Sequence, residues 1–159
     1  MATINGIMTP KPDYRVFKYR WSPLTNGDRG SSLEFSNYQD RSVQITGTFG
    51  VGGSVSIRGS NDGGTTWATL TDPLGNALTF TASGLKQIAE LTDLIAPFVT
   101  AGDGATALTV DLLAKRSASL KALTGQKSGV INAMERFGGV PVPKAIAAIE
   151  EQVKRLEAQ

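Results

Sequence analysis

The sequence contains neither cysteine nor histidine in its 159 residues. Disulfides, thiolate or imidazole metal sites, cysteine nucleophiles and histidine general bases are therefore excluded from this chain, and no metal or cofactor is expected. Aromatic residues are scarce at 7%, so the core must be built mainly from Val, Ile, Leu and Ala. Long hydrophobic runs are also missing. The stretch Leu94-Ile95-Ala96-Pro97-Phe98-Val99 falls far short of the roughly 20 residues of a membrane-spanning helix, so no membrane association is expected. Met1 to Pro10 shows no basic cluster followed by an apolar segment, so a secretory signal is not expected either.

Glycine is plentiful at 18 residues and sits among short alternating segments, the composition of a turn-rich β protein. Residues 1–14, with Gly6, Pro10 and Pro12, read as an extended arm. A first strand follows at Arg15–Trp21. Arg41–Phe49 alternates Val43, Ile45 and Gly47 against Gln44, Thr46 and Thr48, and Ser54–Gly59 alternates Val55 and Ile57 against Ser54, Ser56 and Arg58. With Gly50-Val51-Gly52-Gly53 between them, these two segments are expected to form an antiparallel hairpin. Further strands are expected at Thr66–Leu70, Ala77–Ala82, Leu85–Leu91, Leu94–Thr100 and Thr106–Leu112. Pro97 cannot donate to a ladder, which places its strand at a sheet edge or Pro97 at a strand start. The sum is mainly β: an antiparallel β-sandwich or jelly roll of about eight strands.

The period changes near Lys115. Helical turns are expected at Ser119–Thr124 and Ser128–Phe137, and a helix from Lys144 carries Ile146, Ile149, Val153 and Leu156 at spacings of three, four and three. This apolar stripe needs a neighbour, either its own body, another copy or a partner. The expected organisation is an arm at 1–14, a β-sandwich body at 15–116 and a helical extension at 117–159. Residues 1–114 hold 8 Lys and Arg against 10 Asp and Glu, whereas residues 115–159 hold 8 against 4. The tail's basic residues are dispersed among apolar ones, without the dense run that neutralises phosphates, so direct nucleic-acid binding is not expected.

Two turns are the sharpest local motifs. Ser60-Asn61-Asp62-Gly63-Gly64-Thr65-Thr66-Trp67 fits the pattern Ser-x-Asp-x-Gly-x-x-Trp and resembles the Asp-box of sialidases and other β proteins. Ser60, Asp62, Gly64 and Trp67 read as a folding element: a carboxylate accepting turn amides, glycines free to take positive φ, and an indole under the turn. The chain is too short for the propeller of a sialidase. Gly102-Asp103-Gly104 reads as a second structural turn. Asp103 and Asp111 flank a strand, but nothing in their surroundings marks them as a catalytic pair. Gly47, Gly50, Gly52 and Gly53 lack the following Gly-Lys-Ser/Thr of a phosphate loop. In the interleaved segment from Tyr14 to Trp21, Phe17, Tyr19 and Trp21 share a face with Arg15, and that aromatic face reads as core or subunit contact.

The order of these elements resembles virion structural proteins of tailed bacteriophages. The residues that carry the resemblance are Tyr19-Arg20-Trp21-Ser22-Pro23-Leu24 with Asn26-Gly27-Asp28, Asp40-Arg41-Ser42-Val43-Gln44, Gly47-Thr48-Phe49-Gly50 and Val55 to Gly63. They continue through Trp67, Leu70, Gly75-Asn76-Ala77-Leu78 and Pro97 to Gly104. The match covers about residues 14–116 and leaves 117–159 outside it. It implies a non-enzymatic head decoration or cement protein, made in the host cytoplasm and carried on the capsid surface. Its implied partners are the major capsid protein and itself, as a homotrimer; the tail's apolar stripe of Ile146, Ile149, Val153 and Leu156, outside the match, is expected in oligomer or capsid contact on its spacing. A tail, neck or adaptor component is the alternative within the same resemblance. A carbohydrate-binding module with Trp67 or Trp21 as a sugar platform is the alternative from another class.

Overall fold

The computed structural model describes residues 1–13, 15–116, 150–151 and 153–157. The chain divides into one unit at residues 1–117 and another at 118–159. The first unit is a β-sandwich. Its strands are β1 (Thr3–Ile4), β2 (Ile7–Pro10), β3 (Val16–Leu24), β4 (Arg29–Gly30), β5 (Leu33–Glu34), β6 (Asp40–Thr48), β7 (Ser54–Ser60), β8 (Ala68–Thr69), β9 (Thr79–Phe80), β10 (Gly84–Ile88), β11 (Leu94–Ala101) and β12 (Ala107–Lys115). One sheet has five strands in the order β10-β6-β12-β3-β2. The other has seven, along β1-β4-β11-β7-β8, with β5 paired to β11 and β9 to β7.

The alternation along the main strands determines what lies between the sheets. Trp21 and Leu24 on β3, Val43 and Ile45 on β6, and Leu108, Val110 and Leu112 on β12 form one core cluster with Val55, Ile57, Ile95 and Val99 of the other sheet. Each aliphatic side chain removed from water contributes about 1.5–3 kcal/mol, which fixes the register, because a one-residue slip would turn every such side chain outward. Leu78 and Phe80 are buried as their alternation predicts. The aromatic face of β3 is core: Trp21 is buried, and Phe17 and Tyr19 are half-buried against it, with Phe17 edge-on to Phe35 and Tyr38. Tyr14 lies outside the described residues.

Two expectations about strand pairing are corrected. Arg41–Phe49 and Ser54–Gly59 do not form a hairpin: β6 pairs with β10 and β12, whereas β7 pairs with β11, β8 and β9. Alternation shows only that each strand has one buried face, and two such faces can meet across a core as well as lie side by side. Residues 49–53 carry the chain from one sheet to the other, with Gly50 and Gly52 at φ of +72° and +65°. Pro97 is not on an edge strand, since β11 has neighbours on both sides. On its other side β11 pairs through Leu94 and Ile95 with β5 and through Phe98 with β4. Pro97 falls at the break between those two short partners, where no ladder bond is required of its nitrogen. Within this antiparallel sandwich one pairing among the described strands is parallel, that of β1 with β4.

The strand count also exceeds the expected eight, and five of the twelve strands are two residues long. Pairings that short leave no period to read. Residues 1–13 are extended, yet they are hydrogen-bonded along the body: Thr3 and Ile4 pair with Arg29 and Gly30, and Ile7 to Pro10 pair with Phe17 to Arg20. Residues 150–151 and 153–157 are helical, with Arg155 reaching Glu151 at 3.3 Å one turn back. The helical turns expected at 119–124 and 128–137 lie outside the described residues. No helix among the described residues is long and apolar enough to cross a membrane.

Candidate functional site

Asp28, Asp62, Asp72 and Asp103 are committed to turns. Asp62 accepts the Thr66 amide at 3.0 Å, the Thr66 hydroxyl at 2.5 Å and the Ser60 hydroxyl at 2.7 Å, while Ser60 Oγ accepts the Gly64 amide at 3.0 Å. Trp67 Nε1 donates to the Gly64 carbonyl at 2.9 Å and closes the loop between β7 and β8. Gly63 and Gly64 both take positive φ there. Asp103 accepts the amides of Val51 at 2.8 Å and Ala105 at 2.9 Å, and Thr106 Oγ1 donates to the Phe49 carbonyl at 2.8 Å. The Gly102-Asp103-Gly104 turn is thereby tied to the crossing at 49–53. Asp28, which is buried, accepts the Ala2 amide at 2.8 Å and the Thr25 hydroxyl at 2.6 Å, fastening the start of the chain. Asp111 lies mid-strand, bridged to Arg20 at 2.7 Å and Lys18 at 3.3 Å. Among the described residues no cluster of three or more metal-ligating side chains occurs.

These bonds hold the carboxyls below their ordinary value. The causes are the Thr66 hydroxyl for Asp62, the Val51 amide for Asp103, the Asn76 amide for Asp72, the Thr25 hydroxyl for Asp28 and the Arg20 guanidinium for Asp111. The folded chain thus binds fewer protons than the unfolded chain in this range. Their stabilisation is complete above the ordinary value of 3.8 and is lost as pH falls through the lower folded values. Thermal melts across the acid range are expected to show a level midpoint above about pH 5 and a progressive fall below about pH 4. A midpoint unchanged down to about pH 2 would show that these bonds do not support the fold.

Two surfaces remain once the turns are accounted for. The first is the outer face of the five-stranded sheet. One cross-strand row runs Leu85, Gln44, Asp111, Arg20 and Ile7 through β10, β6, β12, β3 and β2. The adjacent row runs Gln87, Ser42, Leu113, Lys18 and Thr9. Ile7, Leu85 and Leu113 stand 70%, 67% and 43% exposed on this face, around the Lys18–Asp111–Arg20 ion pairs. Leu85 and Leu113 line one shallow depression with Ser42 and Gln87, and Ile7 stands alone on the opposite edge strand; the Leu85–Leu113 depression is the candidate contact surface.

The second surface is a groove of about 260 Å³ on the outer side of the seven-stranded sheet. Its floor is Ala96, Pro97 and Phe98 of β11. Thr3 and Arg29 stand at one side, Arg58 leans over the Phe98 ring at 4.3 Å, and Gly63, Gly64 and Trp67 close the far end. Arg29 Nε donates to Thr3 Oγ1 at 3.0 Å, and Arg58 Nε is buried without a hydrogen-bond partner among the described residues. Among the described residues no carboxylate lines the groove.

The expected site residues are thus distributed as follows. Ser60, Asp62, Gly64 and Trp67 come together in one turn, and Gly64 and Trp67 also wall the groove. Gly102, Asp103 and Gly104 belong to a different turn. Trp21 is 1% exposed, which removes it as a sugar platform and corrects that expectation. Val153 and Leu156 are exposed on the helical segment, and Ile146 and Ile149 lie outside the described residues. Sequence reading missed Arg29, Arg58 and the two cross-strand rows, since only pairing brings these positions together. It also missed Arg41, which is buried with the core face of β6, donates from Nη2 to the Glu90 carbonyl at 2.6 Å and has Nε and Nη1 without a hydrogen-bond partner among the described residues.

No protein-family profile and no curated protein matches the chain. Among solved structures, that of the SPBc2 prophage-derived protein YomS is similar at 11% identity with a TM-score of 0.48. The likeness covers 62% of this chain and 93% of that one.

Proposed function

We propose that this chain is a non-enzymatic structural protein of a tailed-phage virion, a decoration or cement protein whose β-body lies on the outer capsid and bridges major capsid subunits. The observation that carries this reading is the outer face of the five-stranded sheet. It is broad, formed by five paired strands, and carries Ile7, Leu85 and Leu113 exposed around a fixed ion-pair cluster. Such a face suits contact with a shell subunit, with apolar patches for burial and charges for register. The order of strand and turn motifs between residues 14 and 116 supports the same reading. Asp62, Asp103 and Asp111 hold turns and strands together, a structural use of carboxylates that supports a non-enzymatic reading.

Several weak contacts become strong when copies are linked, so a homotrimer seated where capsid subunits meet is the assembly proposed. Val153 and Leu156, exposed on the helical segment, are the described residues placed at the contact between copies. The double variant Leu85→Glu, Leu113→Glu tests the face. Both side chains are exposed, so the melting midpoint is expected to hold. Co-sedimentation with heads that lack this chain is expected to weaken by about tenfold or more. Full retention of head binding by that variant would remove this face from the capsid contact.

A further inference from the structure

We infer that the groove over β11 is a docking site for an extended acidic peptide, with Arg29 and Arg58 gripping a carboxylate and Trp67 flanking it. The two arginines stand on strands either side of β11. Arg29 is paired with Phe98, and Arg58 with Ala96 two residues back. Strands two apart in a sheet are roughly 9.5 Å apart, and both arginines line the one groove that β11 floors, Arg29 from the Thr3 side and Arg58 from over Phe98, so a carboxylate seated between them is within reach of both. Arg58 lies over the Phe98 ring with its Nε buried, which leaves the two terminal nitrogens of the guanidinium for hydrogen bonds to a ligand. Arg29 has one nitrogen on Thr3, and among the described residues neither arginine has a carboxylate partner.

The donor set selects the ligand. A guanidinium only donates, and its fork matches a planar carboxylate. Sugar hydroxyls need acceptors as well as donors, and the only acceptors among the lining side chains are the hydroxyls of Thr3 and Ser32, the first already accepting from Arg29. A nucleic-acid strand would need a track of basic residues, whereas residues 1–114 carry 8 basic against 10 acidic residues. Trp67, with its indole nitrogen held by Gly64, presents a fixed apolar wall suited to a neighbouring aliphatic side chain. This inference goes beyond the shell reading and stands without it, because the groove and the Leu85–Leu113 face belong to different sheets.

The test uses the isotope-labelled full chain and follows the arginine Nε–H and indole N–H signals by NMR. The probe is acetyl-Gly-Leu-Glu-Leu-Glu-Gly-amide, beside its glutamine counterpart, an oligoglucuronate and inorganic phosphate. The expected result is a saturable shift of the Arg29, Arg58 and Trp67 side-chain signals with the glutamate peptide. Binding is expected to be weaker by about tenfold or more for the glutamine peptide and for Arg58→Gln. If Arg58→Gln disturbs the amide spectrum, Arg29→Gln, at an exposed position, replaces it. No shift, an equal shift with the glutamine peptide, or tighter binding of oligoglucuronate or phosphate would each overturn the inference.

Discussion

Replacing Trp21 with alanine is expected to lower the unfolding free energy by about 3–5 kcal/mol. Trp21 is the largest fully buried side chain of the sandwich and packs edge-on to Tyr19 at 4.7 Å. Its Nε1 donates to the Ser31 carbonyl at 3.0 Å, and the space beside it is so filled that a Cβ on Gly30 would stand 2.6 Å from the ring. Alanine removes the burial, leaves a cavity that paired strands cannot collapse into, and strands a carbonyl. Against a total of about 5–15 kcal/mol for a domain, the variant is left marginal. Chemical denaturation measures it, and a loss under about 1 kcal/mol would show that Trp21 does not anchor the core.

Gly47→Ala is expected to be nearly as damaging, for a different reason. Gly47 lies within β6 at φ +117°, opposite Leu108 of β12, and a Cβ there would meet the Ala107 carbonyl oxygen at 2.3 Å. The backbone conformation alone costs a non-glycine residue about 1–3 kcal/mol, and the carbonyl contact adds to it because a paired strand cannot move aside. Gly52→Ala is the control. Its φ is +65° with nothing within 4 Å of the added carbon, so it carries the left-handed cost of about 1–2 kcal/mol alone. A Gly47→Ala midpoint equal to that of Gly52→Ala would show that the Ala107 contact relaxes freely.

The strands legible in the sequence were those with an unbroken period of two: β6, β7 and β12 carry Val43 and Ile45, Val55 and Ile57, and Leu108 to Leu112 into the core as alternation predicts. Alternation does not encode the neighbour, so the β6–β7 hairpin was misread, and so was the place of Pro97. Even Arg41 had a signal, since odd positions of its strand face inward, but a charge at the end of an apolar row reads as the row's end. The 60–67 turn was legible because its chemistry is local, each bond spanning four residues or fewer. The groove was not, because Arg29, Arg58 and Trp67 meet only through the pairings of β4, β7 and β8.

The most direct test of the capsid-cement role is the solution mass of the full chain by light scattering, alone and after mixing with heads that lack it. The role predicts a discrete species of three 16.8 kDa chains that co-sediments with the heads. A monomer indifferent to heads, or an open-ended polymer of the kind a tail tube forms, would contradict it.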